Sequence, residues 1–301
     1  MLTILRKDFA KYKYLYLMVA PLVVYYVVFH YMPIYGAVIA FQDFNPGLGI
    51  SGSKWVGFQH FTDFINSYYF WRLVKNTFLL SFYSLIFGFP APIILALLIN
   101  ELRRDLYKRF VQTVTYLPHF ISTVVICGMV IDMTNSDGLI NDIVVLFGGE
   151  RSTMTTNPDL FRTIYISSGI WTELGWGTII YLAALSTVNP HLYEAAEMDG
   201  AGRFKKMFHI TLPTIAPVIV ILLILHMGRL LSVGWEKVML LYNPLVYDTA
   251  DVISTYVYRR GLEQADYSYS TAIGLFNALI NFILLVAANK ISQKTNETSL
   301  W

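Results

Sequence analysis

Residues 76–99 read NTFLLSFYSLIFGFPAPIILALLI, without one charged side chain. As a helix, an uncharged apolar run of roughly 18 residues or more crosses the hydrocarbon core of a bilayer. Such runs recur on both sides of this one. Leu15–Phe41 precedes it, and Phe110–Ile131, Thr163–Val188, Ile210–Gly228 and Thr271–Asn289 follow. Glu173 is the one acid inside the fourth run, and Arg229 directly follows the fifth. The expected fold is all-α, a polytopic membrane protein with six transmembrane helices. The first run is too long for a secretory signal, and no small-residue cleavage pattern follows it.

Composition agrees. Of 301 residues, 55% are hydrophobic and only 14% charged, against about 25% charged in a soluble domain. There is too little polar surface to cover a globule. The 20 Phe, 21 Tyr and one Cys exclude a disordered chain and a disulfide scaffold. A net charge of +2 leaves no footprint for nucleic acid. Cys127, alone in an apolar run, has no intrachain disulfide partner.

Lys and Arg set the orientation. The tail, the connections between spans two and three and between four and five, and the segment after span six together carry 13 basic residues against 7 acids. The remainder carries 9 basic residues against 13 acids. Both termini are therefore expected in the cytoplasm, which an even number of spans requires. The segment Gln42–Lys75 between spans one and two is rich in aromatics (Trp55, Phe58, Phe61, Phe64, Tyr68, Tyr69, Trp71), read as an interfacial belt.

Enzymatic constellations are missing. The chain has no H-E-x-x-H, no spaced Cys/His cluster, no G-x-S-x-G and no Walker loop. Gly47, Gly49 and Gly52 do match G-x-G-x-x-G, but they follow Pro46 in a connection and lack the strand-to-helix context of a dinucleotide site, so they read as turn formers. Of the six histidines, only His226 is singled out, inside span five and three residues before Arg229.

The connection Asn189–Pro213 reads NPHLYEAAEMDGAGRFKKMFHITLP. Asn189 is a good N-cap and Pro190 suits the first helical position. The helix is predicted through Glu194, Ala195 and Ala196 to about Asp199, with Gly200 ending it in the left-handed conformation. A second short helix is predicted around Phe204, Met207 and Phe208, before Pro213 opens span five. Such a helix–turn–helix at the membrane surface is either a lever for a cytoplasmic partner or an amphipathic anchor.

Glu194-Ala195-Ala196, then Gly200, then Ile210 and Leu212-Pro213, resembles position for position the EAA loop of ABC importer permeases; Asp199 and Ala201 fit the commoner form of that motif. The resemblance extends over nearly the whole chain. Residues 71–290 look like the core transmembrane domain of type I importers, with the coupling loop at 189–213. Residues 15–70, containing Trp55-Val56-Gly57-Phe58, and the stretch from Tyr242-Asn243-Pro244 to Arg259 look like the sugar and polysaccharide branch. Residues 1–14 and 291–301 are left as cytoplasmic tails.

The resemblance implies a permease that does no chemistry. A separate ATPase dimer would bind ATP and Mg, so that this chain carries no cofactor. An extracellular substrate-binding lipoprotein would deliver a carbohydrate, and a second homologous permease would complete the path through the bacterial plasma membrane. Glu194 would pair with an ATPase cation, Ala195 and Ala196 would allow close approach, and Gly200 would make the bend.

Ionisable residues inside spans usually face a polar cavity or a partner. The expected substrate path is therefore Trp171, Glu173 and Trp176 on span four, His226 and Arg229 on span five, and Asn277 and Asn281 on span six. Glu173 and Arg229 lie about 21 and 24 Å above the cytoplasmic ends of their helices at 1.5 Å per residue, so the two could meet, either as a structural pair or as part of a cluster that contacts a sugar in transit. The glycines near Glu173 are read as helix weakeners along a cavity. The rivals are a secondary transporter, against which the lack of an internal repeat counts, a membrane enzyme acting on lipid-linked sugars, for which no catalytic pair is present, and a membrane scaffold without ATPase coupling.

Overall fold

The computed structural model describes residues 11–296. Arg6, Lys7, Asp8 and Glu297, counted above toward orientation, lie outside the described residues, as do the ends of both tails. The chain divides into two compact units, one of residues 1–66 with 260–275 and one of residues 67–259 with 276–301. Segment 260–275 groups with the N-terminal residues.

In the first unit, helix α1 (Lys13–Tyr26) runs on through a π turn, Val27–Tyr31, and a 3-10 stretch, Met32–Phe41. A two-residue antiparallel ladder follows, β1 (Gln42–Asp43) against β2 (Lys54–Trp55). The glycines of the apparent nucleotide motif lie in the loop joining these strands, where Gly49 has φ +67°. Helix α2 (Gln59–Ile65) comes next. The aromatics here pack on one another. Trp55 stacks on Phe41 at 5.7 Å, and Phe58 and Phe61 close around the same ring. Phe64 is buried.

The second unit contains α3 (Phe70–Tyr83), α4 (Pro90–Asn100), α5 (Asp105–Tyr116), α6 (Thr123–Thr134), α7 (Leu139–Leu146) and α8 (Pro158–Leu185). It continues with α9 (Pro190–Met198), α10 (Arg203–Lys206), α11 (Leu212–Met227), α12 (Trp235–Leu241) and α13 (Ile253–Tyr258). The last helix, α14 (Tyr267–Asn296), begins in the first unit and ends in the second. Among the described residues, five stretches are long and apolar enough to cross a membrane: Lys13–Phe41, Phe70–Asn100, Thr123–Leu146, Arg203–Met227 and Tyr267–Lys294.

One expected span is corrected, and another has the length of a crossing without the hydropathy of those five. Phe110–Ile131 is not one helix: α5 stops at Tyr116, a 3-10 turn Leu117–Phe120 intervenes, and α6 starts afresh with Ser122 accepting from the Val125 N–H. Pro118 explains the break, since it has no N–H and its ring collides with the carbonyl four residues earlier. The fourth run, Thr163–Val188, lies largely on α8 but is not among the five. At 28 residues α8 is about 42 Å long, and its Gly, Thr, Trp and Glu173 are what make it less apolar than the others.

Proline also shapes the spans that do hold. The π turns Val27–Tyr31, Ser84–Gly88 and Met207–Thr211 each end two residues before a proline, Pro33, Pro90 and Pro213. A widened turn makes room for the ring without ending the helix. For that reason the second short helix expected after Gly200 is not separate: 203–227 is one helical stretch leading into the membrane.

The core of the second unit has two parts. Leu80, Ile126, Val130, Phe161, Val238 and Val252 pack in one cluster, and Ala96, Tyr181, Leu185, Val188 and Ile215 in another next to loop 189–213. Beyond the first cluster lies a charged knot. Asp251, fully buried, accepts from Arg259 at 2.8 Å, from Arg72 at 3.3 Å and from the Thr255 hydroxyl at 2.8 Å. Asn76 donates to the carbonyls of Asp248 and Asp251 and accepts from Arg162 at 3.0 Å.

Candidate functional site: a capped loop and a polar cavity

The loop 189–213 is built from its caps. The Asn189 side chain accepts from the His191 N–H at 3.0 Å, and Pro190 occupies the first turn. At the other end Gly200 has φ +73°. The Ala201 N–H reaches the Ala196 carbonyl at 2.8 Å and the Gly200 N–H that of Glu197 at 3.0 Å, the paired bonds of a Schellman ending. Two further ties hold α9 to the helix that follows. The hydroxyls of Tyr193 and Thr211 lie 2.9 Å apart, and Lys206 reaches Glu197 at 3.4 Å. Glu194 is exposed, with His191 at 3.1 Å as its neighbour one turn back. Leu192, Met198, Phe204 and Phe208 are all exposed, Met198 to 89%. Apolar side chains on a rigid, doubly capped element form a surface prepared for contact.

Within the second unit lies a cavity of about 880 Å³. Its charged and polar lining includes His119, Glu173, His226, Arg229, Glu236 and Lys237, with Tyr165 and Tyr181 among the aromatics. Helix α8 supplies Gly169, Glu173, Gly177 and Tyr181, about one helical turn apart, so that a single face of it looks into the cavity.

Three of the seven expected path residues, Glu173, His226 and Arg229, line this cavity together. The Glu173–Arg229 contact is not made. Glu173 instead meets His119 at 3.2 Å, because the break at Pro118 turns His119 toward α8. Trp171 and Trp176 are not in the lining. Trp176 has one face covered by the His119 ring, stacked at 4.4 Å and 4°. Asn277 and Asn281 are elsewhere again. Asn281 accepts from the Leu231 N–H at 2.9 Å and Asn277 donates to the Leu231 carbonyl at 3.3 Å. They hold the backbone that turns back after α11.

The glycines divide likewise. Gly177 faces Pro92 and Gly169 faces the Lys237 ammonium, both at the cavity. Gly175 is buried against the backbone of α5 at Thr115, where it permits close helix approach and opens no cavity.

The sequence reading missed His119, Glu236 and Lys237. His119 follows a proline inside an apolar run, and that proline was the available signal. Lys237 lies on α12, in a segment read as a connection between spans. Its ammonium Nζ donates to the Tyr165 carbonyl at 2.8 Å and sits 4.6 Å from the centroid of that tyrosine's ring.

Residues 88–297 match the family described as binding-protein-dependent transport system inner membrane component. The chain belongs to that family. It is a permease subunit of an ABC importer, a multi-pass protein of the membrane and not an enzyme. Among its relatives in Bacillus subtilis is the polygalacturonan/rhamnogalacturonan transport system permease protein YteP, 49% identical over 96% of this chain and 90% of the relative. Protein LplB of the same organism is 47% identical over 96% and 91%. A bacterial alginate ABC transporter, solved in complex with an alginate pentasaccharide-bound periplasmic protein, contains a chain that superimposes with a TM-score of 0.90 at 43% identity, over 98% of this chain and 99% of that one.

Proposed function

We propose that this permease forms, with a second homologous subunit, the path for an oligosaccharide cut from an acidic polysaccharide. The substrate arrives from an extracellular binding protein, and the driving ATP and Mg are bound by a cytoplasmic ATPase dimer that engages loop 189–213. The observation that carries the ATPase reading is the doubly capped loop with Met198, Phe204 and Phe208 exposed. The acidic polysaccharide class is carried over from YteP and the alginate transporter.

Co-purification with a candidate ATPase, followed by ATP hydrolysis with and without loaded binding protein, tests the assembly. Glu194→Lys is expected to leave the protein in the membrane but abolish stimulated hydrolysis. Gly200→Val is expected to do the same by another route, since a β-branched residue at positive φ costs about 1–3 kcal/mol and undoes the Schellman bonds. Stimulation at the wild-type level in both variants would reduce the loop to an anchor. Oligosaccharide uptake that needs no ATPase would favour a secondary transporter.

Orientation follows from the distribution of Lys and Arg, with both termini and loop 189–213 in the cytoplasm. A cysteine at Ser51, exposed in the first unit, should react with a membrane-impermeant maleimide added to intact cells. A cysteine at Lys294 should react only after lysis. The reverse pattern would place the coupling loop outside and overturn the ATPase assignment.

A further inference from the structure

Two cations in the cavity have no counter-ion. Among the described residues no carboxylate lies within ion-pair distance of Arg229 or Lys237, although both line the same cavity. Lys237 is held in place by the Tyr165 carbonyl and ring. A β-carbon at Gly169 would stand 3.1 Å from its ammonium nitrogen, so glycine there keeps the space around the charge open. Neither acid of the cavity comes within ion-pair distance of these charges. Glu173 is engaged by His119 at 3.2 Å, and Glu236, in the first turn of α12, makes no ion pair. A positioned cation facing a cavity within a membrane domain needs water or an anionic ligand, because lipid offers it nothing.

A uronic acid unit has the matching chemistry. Its carboxylate takes charge-assisted hydrogen bonds from guanidinium and ammonium groups. Its ring hydroxyls are donors that Glu173 and Glu236 can accept. A neutral sugar's hydroxyls would accept from the two cations but leave their charge uncompensated.

We infer that Arg229 and Lys237 form a carboxylate-reading subsite for acidic sugar units in transit. The permease thereby selects for charge itself, in addition to any selection by the binding protein. This inference rests on the import reading above.

The test uses the whole complex in liposomes, with its ATPase and binding protein, and a digest of polygalacturonate as the probe. Arg229→Gln and Lys237→Met are each expected to lower uptake of the di- to tetragalacturonates at least tenfold, while loaded binding protein still stimulates ATP hydrolysis. Arg229→Lys and Lys237→Arg, which keep the charge, are expected to restore uptake to within threefold of wild type. Wild-type uptake in the neutralised variants would overturn the subsite. So would an equal loss in the charge-keeping variants, because side-chain shape would then be what matters. If wild type takes up neither this digest nor an alginate digest while its ATPase is stimulated normally, the import reading of acidic oligosaccharides falls, and the subsite with it.

Discussion

Gly175→Leu is expected to remove the permease from the membrane fraction, with folded protein down at least tenfold. Gly175 lies on the buried face of α8. A β-carbon there would overlap the carbonyl of Thr115 and stand 2.8 Å from the Tyr116 nitrogen. Both are backbone atoms of α5, so no rotamer change can relieve the clash; the two helices must separate. Overpacking by side chains usually costs about 1–3 kcal/mol, and the rigid partner here puts the cost at or above that upper end. Even Gly175→Ala meets the same carbonyl. Gly128 on α6 is the control, because an added β-carbon there meets nothing within 4 Å. Gly128→Ala is expected to fold at the wild-type level or slightly better, since alanine favours helix over glycine by about 1 kcal/mol. Size-exclusion profiles of detergent extracts from both variants decide the matter. A normal profile for Gly175→Leu would mean that α5 and α8 do not pack as described.

The same glycine marks what the sequence could and could not reveal. That α8 is glycine-rich was legible; whether a given glycine faces a cavity or another backbone was not, because the answer lies in α5, sixty residues away in the chain. The caps of loop 189–213 were legible because their causes are local. Asn189, Pro190 and Gly200 act through bonds spanning a few residues, and the structure has each of them where composition predicts. The apolar runs were legible for a similar reason, since membrane crossing depends on summed hydropathy. Within those runs the helix breaks depended on single prolines, and Pro118 went unused as a signal.

The cavity was half legible. Glu173, His226 and Arg229 line one cavity, and each is an ionisable residue in or beside an apolar run. Their partners were not legible, because pairing was judged from depth alone. Depth ignores which face of each helix a residue occupies, and it ignores connections that fold back into the domain, as α12 does in bringing Lys237 to the cavity. Asn277 and Asn281 pose a similar ambiguity. Two amides on one helical face fit a path equally well as a clamp, and only the position of Leu231 decides for the clamp.

Asp251 gives the second large effect. Its side chain is fully buried, yet it is bound by two arginines and the Thr255 hydroxyl. Burial lowers the proton affinity of Arg259, but the hydrogen bond and charge of Asp251 outweigh that and hold the guanidinium above its ordinary value. Asp251→Ala would strip both arginines of this carboxylate while their side chains stay 19% and 25% exposed. Removing one partner of a buried pair costs about 3–5 kcal/mol, and the partial exposure of the arginines favours the lower figure. For a domain of this size that corresponds to a fall of roughly 6–12 °C in melting temperature. Asp248 is the natural comparison. It touches the same Arg72 at 3.5 Å but is 86% exposed, and an exposed pair contributes about 0–1 kcal/mol. Asp248→Ala is therefore expected to melt within about 2 °C of wild type. The contrast carries the argument, since both acids touch Arg72 but only Asp251 is buried and also holds Arg259 and the Thr255 hydroxyl. Equal melting temperatures for the two variants would mean that the knot joining α3, α8 and the 251–259 segment is held by the Asn76 amide and the apolar cluster beneath it, with the ion pairs contributing nothing measurable.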